Sequence, residues 1–239
     1  MKNLISISTG LVYRVSEDKN VQIKTIGKFK PSGIELVLPF PETLFDFEPD
    51  EESLEIIRGL DFFTIHAPSG RGLKYCDNVE TQKILAKLSY LSRELDVKNV
   101  TFHIENIESY DIFRQCDFKV SIENADHRKS FGQTPAEMEK ILSAHPNLFF
   151  TFDFAHAMIV NPTYVSDFLK MKSRFSEIHM SVCSEELKEH HFIHLKHKDT
   201  FAEVIKQLPQ NVPFVIESAA MKAGEINYVV EEIKYLRSI

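Results

Sequence analysis

This sequence has little glycine or proline, few cysteines, and no long apolar or basic run. Eight Gly and ten Pro among 239 residues are too few for a disordered or low-complexity chain. The three cysteines, Cys76, Cys116 and Cys183, lie far apart and show no CxxC or other metal-ligating spacing. A reducing, cytoplasmic compartment is the simplest expectation. No apolar run approaches the roughly 20 residues of a membrane span. The nearest, Leu148–Val160, is short and holds Asp153 and His156. The N-terminal MKNLISIST carries one Lys and a short apolar stretch broken by serines, so no secretory signal is expected. Positive charge is not in excess: 28 Lys and Arg against 35 Asp and Glu leave −7. That balance disfavours a non-specific nucleic-acid binder, although a local basic groove stays compatible with it.

What is present is a rhythm. Short apolar, β-branched and aromatic runs recur at Leu4–Ser8, Gly33–Leu38, Phe62–Ala67, Asn99–Glu105, Lys119–Ala125, Leu148–His156, Glu177–Cys183 and Pro213–Ser218. Helical patterns fall between most of them. Asp50–Leu60 has acids in its first turn, and Asn78–Leu95 spaces Ile84, Leu85, Leu88, Leu91 and Leu95 on one face. Thr134, Pro135 and Glu137 form an N-cap, N1 proline and capping box that open a helix to about Ala144. Pro162–Phe175, Thr200–Leu208 and Glu225–Leu236 also read as helices, while Ser16–Lys30 is ambiguous. Serial alternation of strand and helix implies parallel strands. Eight units over 239 residues, about 30 each, predict an α/β protein: a single-domain (β/α)8 TIM barrel over residues 1–239. The competing doubly wound sheet usually has a Gly-rich phosphate turn after its first strand, and neither GxGxxG nor a P-loop occurs here.

In such a barrel the C-terminal strand ends carry the site. Here they read His66, His103, Glu123-Asn124, Asp153 with His156 following, His179 and Glu217. Six successive strands would deliver a His, Asp or Glu to one mouth. No Arg or Lys stands at those ends to neutralise Glu123, Asp153 and Glu217, and clustered carboxylates beside neutral imidazoles make a divalent-cation site. Glu105, just past His103, is left out of the site. His127 and His145 read as solvated, and Cys183 as a small core residue. The run Asp126-His127-Arg128-Lys129 reads as a solvated loop, with substrate contact as its alternative. Glu185–Lys198 holds His190, His191, His194 and His197, a solvated loop or one that folds imidazoles over the mouth.

The ordered pieces FFTIHAP, NVTFHIEN, VSIEN, FDFAHA, EIHMS and FVIES span about residues 60 to 220, and GIELV extends them toward the N-terminus. Together they resemble the xylose isomerase-like barrel superfamily, which holds sugar isomerases and epimerases and the endonuclease IV (AP endonuclease family 2) abasic-site nucleases. In the isomerase branch the resemblance implies one Mn, Mg or Co ion held by Glu123, Asp153, His179 and Glu217, with Glu123 and Glu217 also acting as acid and base. In the nuclease branch it implies a zinc cluster, with His66 and His103 as further ligands and His156 as a ligand of a third metal. That third metal also calls for an Asp-x-His motif, whose nearest match is Glu189-His190-His191; His191 is the favoured equivalent and His190 the alternative. The nuclease His-Pro-Gly turn is replaced by His103-Ile104-Glu105.

The expected activity is therefore a divalent-metal-dependent isomerase or epimerase of a sugar or sugar phosphate, with Mn or Zn favoured and Mg or Co as alternatives. His190, Arg71 and Glu35 are the candidates for substrate contact. The partner is a small carbohydrate-like molecule, with no membrane. A zinc-cluster phosphoesterase acting on abasic DNA is the second reading, and a barrel that binds without catalysis the third.

Overall fold

The computed structural model describes residues 4–183, 190–196, 198–218, 225 and 227–239. Its strands are β1 (Ile5–Ser8), β2 (Gly33–Val37), β3 (Phe62–His66), β4 (Asn99–His103), β5 (Val120–Glu123), β6 (Phe149–Asp153), β7 (Phe175–Met180) and β8 (Phe214–Ile216). Every run picked out in the sequence contains one of them, in whole or in large part. Neighbours pair in parallel in chain order, and β8 pairs with β1, closing an eight-stranded barrel. The expected (β/α)8 fold is the one observed. No helix among the described residues is long and apolar enough to cross a membrane.

The helices are α1 (Lys19–Gly27), α2 (Pro41–Asp46), α3 (Glu51–Arg58), α4 (Val79–Glu94), α5 (Pro135–Ala144), α6 (Phe154–Val160), α7 (Tyr164–Phe168), α8 (Ile193–Lys196), α9 (Lys198–Ile205) and α10 (Asn227–Ser238). Their starts follow local capping chemistry. Asp18 accepts from the backbone amides of Asn20 and Val21 and so opens α1, resolving the ambiguous Ser16–Lys30 stretch. Asp50, Asn78 and the Thr134–Glu137 capping box open α3, α4 and α5. Pro162–Phe175 is less regular than its pattern predicts: α7 gives way to a 3-10 turn at Leu169–Arg174. There the Arg174 guanidinium donates to the carbonyls of Leu142, His145, Pro146 and Leu148 behind the end of α5.

Two strand ends also differ from the pattern. The run Leu148–His156 changes to helix at Asp153, because its carboxylate accepts from the amide of His156 and caps α6. β4 stops at His103 and becomes a 3-10 turn at Ile104–Asn106, and the β4–β5 connection holds only 3-10 turns.

Strand alternation divides the barrel walls. On β6, Phe150 and Phe152 pack outward with Phe168 and Phe175. Thr151 and Asp153 take the other face. The lumen below the mouth is polar and small. The Asn99 side-chain amide donates to Ser121 Oγ at 2.7 Å and to Glu177 Oε1 at 2.8 Å. Thr101 donates to the same Glu177 oxygen at 2.6 Å, and Thr151 lies 2.8 Å from Thr101 and 2.6 Å from Ser121. Register then sets the layer above: His103 is level with Glu123, and Asp153 with His179. A slip of one residue would move all these groups to the helix side.

Gly33 shows how closely β2 and β3 approach. A Cβ there would lie 2.4 Å from the Phe62 carbonyl oxygen. Gly33→Ala must displace backbone, which costs about 1–3 kcal/mol. Thermal unfolding should show a Tm lower by several degrees, on the order of 2–4 °C per kcal/mol for a chain of this size; an unchanged Tm would mean that the strands tolerate the spread.

Candidate metal centre

Carboxylates taken out of water need opposite charge, hydrogen bonds or a metal. At this mouth the protein supplies imidazole. Glu123 is buried at the end of β5 and is shared. Its Oε2 lies 3.3 Å from both His66 Nε2 and His103 Nε2, and its Oε1 lies 3.1 Å from His179 Nδ1. Glu217, just past β8, brings Oε2 to 2.8 Å from the same His179 Nδ1. Asp153 is fully buried, and its Oδ2 has no hydrogen-bond partner. Ligand atoms of Glu123, Asp153, His179 and Glu217 all fall within 4.8 Å of one another. The same spacing holds for His66, His103 and Glu123, and for Asp153, His156 and His190. Glu123 and Asp153 thus each belong to two ligand groups.

The imidazoles are held from behind. His103 Nδ1 faces Glu105 Oε1 at 3.3 Å, and His156 Nδ1 faces the Asn124 carbonyl at 2.8 Å. His190 Nδ1 lies 2.7 Å from Ser181 Oγ, His66 Nδ1 is 3.3 Å from the Ala67 carbonyl, and His179 Nε2 is 3.0 Å from Glu35 Oε2. Each ring therefore has one nitrogen tied to the scaffold and the other left for the centre. This is the usual arrangement of metal-ligating histidines, in which the outer contact fixes the tautomer. Glu123, Asp153, His179 and Glu217 together with the orphaned Asp153 oxygen fit a divalent ion: carboxylates suit Mg or Mn, and added imidazoles move the preference toward Zn.

Without an ion the charges settle on protons. Burial lowers the His66 pKa, but its hydrogen bond to Glu123 and the charges of Glu123, Glu35 and Glu217 outweigh that and pull it to about 9. His179 is likewise disfavoured by burial, yet Glu35, Glu217 and Glu123 hold it well above the usual imidazole range. Burial raises Glu123 and Glu217; the facing His179 more than reverses this, leaving Glu123 well below the ordinary value and Glu217 at about 2. Asp153 is the exception, since burial dominates and pushes it up.

The structure rearranges part of the expected site. His190, not the favoured His191, joins Asp153 and His156. His191 exchanges backbone hydrogen bonds with Val182 in an antiparallel bridge. Successive residues along such an extended pairing point to opposite sides, so only one of the two reaches the centre. His194 is turned elsewhere, with Nδ1 2.6 Å from buried Glu232 of α10. Glu189 and His197 lie outside the described residues. Glu35 is fully buried under His179 and does not line the mouth, so direct substrate contact is corrected to contact with His179. Arg71 pairs with Glu42 at 2.9 Å, sits over the Phe40 ring, and is not among the residues lining the mouth cavity.

Among the residues that line the cavity, Glu105, Arg128 and Lys129 are not singled out by the strand-end pattern. The cavity, about 170 Å³, is bounded by His103, Glu123, His156, His190 and Glu217, and by Glu105, Arg128 and Lys129. Glu105 lies in the 3-10 turn after β4, where its carboxylate faces His103 Nδ1. Lys129 binds Glu105 at 2.7 Å, and the Arg128 guanidinium grips Asp126. Gly132 pins this loop down: it has φ +82°, and a Cβ would meet Ile104 Cγ2 at 2.2 Å. The charged four-residue run is the available signal for Arg128 and Lys129; for Glu105 none distinguishes strand from turn.

No protein-family model matches the chain, and no curated protein matches it. Solved structures do. A D-tagatose 3-epimerase-like protein is 18% identical, with 100% of this chain and 99% of that chain covered and a TM-score of 0.69. A 3-keto-D-glucoside 4-epimerase from E. coli is 11% identical with full coverage of both chains and a TM-score of 0.69. Endonuclease IV from Thermus thermophilus is 14% identical with full coverage of both and a TM-score of 0.66. These neighbours are xylose isomerase-like TIM-barrel proteins, and at these identities the likeness is one of fold.

The ionisation pattern carries a pH test. His66 shifts from an ordinary value of 6.5 up to about 9, so its contribution to stability is complete below 6.5 and is lost as pH rises toward 9. Glu217 shifts from 4.5 down to about 2, so its contribution is present above 4.5 and lost as pH falls toward 2. Metal-free protein should therefore show its Tm declining from pH 6.5 to 9. Affinity for Mn²⁺ or Zn²⁺ should rise over the same range, because the ion displaces those protons. A flat Tm together with a flat affinity would refute this pairing scheme.

Proposed function

We propose that this protein is a divalent-metal-dependent isomerase or epimerase of a small sugar or sugar phosphate. The observation that carries the reading is the convergence of Glu123 and Glu217, from β5 and the end of β8, on one point beside His179, with Asp153 completing the set. When bound, the ion supplies Lewis-acid polarisation of a substrate carbonyl and its neighbouring hydroxyl. Glu123, Asp153, His179 and Glu217 would hold it; Mn or Zn suits the donors best, with Mg or Co as alternatives.

The chain's residues supply the proton transfers. One glutamate removes the proton from the carbon beside the carbonyl, and the C–H electron pair moves into an enediolate. The second glutamate, from another side of the barrel axis, returns a proton to that carbon or its neighbour. Return to the same carbon on its other face inverts it; return to the neighbour shifts the carbonyl, with the hydroxyl proton passing to the former carbonyl oxygen. General acid–base transfer of this kind contributes about 10²–10⁴-fold. The mouth cavity of about 170 Å³ suits a small molecule. Arg128 and Lys129, held by Asp126 and Glu105, line its wall. The two epimerases among the structural neighbours support the same class.

A second reading is hydrolysis of a phosphoester by a cluster of ions. It is favoured by the groups flanking the central one, His66 and His103 on Glu123, and His156 and His190 beside Asp153. Endonuclease IV among the neighbours supports it. The net charge of −7, with Arg128 and Lys129 already paired to Asp126 and Glu105, opposes a DNA substrate.

Elemental analysis of untagged protein purified without chelator separates the two. About one Mn, Zn, Mg or Co per chain is expected, and two or three Zn per chain would overturn the one-ion reading in favour of hydrolysis. On a substrate found in a ketose and sugar-phosphate panel, Glu217→Gln at saturating metal should lower kcat by about 10²–10⁴-fold; full turnover would remove Glu217 from proton transfer.

A further inference from the structure

Glu35 is a carboxylate in an unusual place. It comes from β2, level with Ser8 of β1 and Thr64 of β3. It is fully buried, and its Oε2 lies 3.0 Å from Nε2 of His179 on β7, across the barrel interior. Its other oxygen, Oε1, has no hydrogen-bond partner. The nearby Glu177 carboxylate, also fully buried, has its Oε1 taken by Asn99 and Thr101. Among the described residues, the one positive or protonatable side chain paired with Glu35 is His179. A buried carboxylate kept at such cost, on the far nitrogen of the imidazole that joins the two converging glutamates, calls for a role at the centre.

That role follows from imidazole chemistry. A neutral imidazole carries one N–H and one lone pair. Only an Nδ1 lone pair can serve the centre, because Nδ1 is the nitrogen facing Glu123 and Glu217. The proton must then sit on Nε2, where Glu35 accepts it. We propose that Glu35 is a positioning residue: it holds the Nε2–H tautomer and ring orientation of His179, so that Nδ1 is presented to the divalent ion and made more basic toward it. The proposal rests on the metal-centre reading above and assigns Glu35 a place behind the centre, out of reach of substrate.

Its nature separates it from a packing role. Removing one partner of a buried pair destabilises the fold, so stability alone does not separate the two roles. Losing the partner of a metal-ligating histidine typically weakens metal affinity about 10–100-fold. The tautomer of the ring, which a packing role would not fix, and rescue by an uncharged acceptor separate them. A Gln in place of Glu35 can still accept from Nε2–H through its amide oxygen, and so can rescue the tautomer without the charge.

The test is chelator-competition titration of the full chain with Zn²⁺ and with Mn²⁺, for wild type, Glu35→Gln and Glu35→Leu. Alongside it run unfolding of the metal-free proteins and ¹⁵N NMR of the histidine rings in the zinc-loaded ones. The expected result is a Kd raised about 10–100-fold in Glu35→Leu and by clearly less in Glu35→Gln. Metal-free Glu35→Leu should unfold below the wild-type temperature, and the loss of affinity should persist where the variant is fully folded. The His179 Nε2–H signal should persist in wild type and Glu35→Gln and be shifted or lost in Glu35→Leu. Tight binding by wild type with an unchanged Kd in Glu35→Leu would overturn the proposal while leaving the metal centre standing, as would equal losses in both variants. A wild type that takes up neither ion would overturn the metal centre and the proposal with it.

Discussion

Four carboxylates, Glu35, Glu123, Asp153 and Glu217, crowd the top of this barrel with no lysine or arginine paired to any of them among the described residues. Their partners are imidazoles. That choice shapes the rest of the mouth, because an imidazole can take a proton when the ion is absent and give it up when one arrives. A guanidinium could neutralise the same acids but would not yield the position. In the metal-free centre the neighbouring glutamates hold His66 and His179 above the usual imidazole range, while burial pushes Asp153 up. The wall and floor serve to keep these groups in place.

The support works at two levels. Below, small hydroxyl and amide side chains fill the lumen in place of the branched apolar layers common in such barrels. They hold one oxygen of Glu177 and leave room for Glu35 to reach His179. Above, the connections close the rim. Gly132 locks the loop after β5 against Ile104, and Lys129 ties that loop to Glu105 behind His103. Every histidine of the candidate ligand groups is anchored on its outer nitrogen by a strand end, a rim loop or the lumen. Binding geometry is therefore prepared by the scaffold before any ligand enters, which is how a site limits the reorganisation that binding would otherwise demand.

Such a centre does not by itself choose a reaction. Two glutamates converging beside one histidine suit proton transfer next to a carbonyl, while the flanking histidines suit additional ions and hydrolysis. Epimerases and a nuclease share the fold at similar distance from this chain, and a fold hosts more than one chemistry. At the rim of this chain both cations that line the mouth cavity are engaged by their own carboxylates.

Much of this was legible in the residues alone. The barrel follows from eight apolar runs at regular spacing, since each buried parallel strand must be apolar outward and each helix amphipathic. His66, His103, Glu123, Asp153, His179 and Glu217 share one phase relative to their strands, and the two-residue period sends them all to one lumen. What the sequence could not settle lies where that period ends. Glu105 lies past the strand end, in a turn whose course depends on the absence of an α-helix in that connection. The choice of His190 over His191 depends on a bridge to Val182, a pairing that joins two separate stretches of chain. Glu35 read as a substrate contact because its partner, His179, is 144 residues away and meets it only across a closed barrel. Local periodicity determined which side chains enter the barrel; closure and loop pairing decided which of them touch, because those contacts join positions that no local pattern relates.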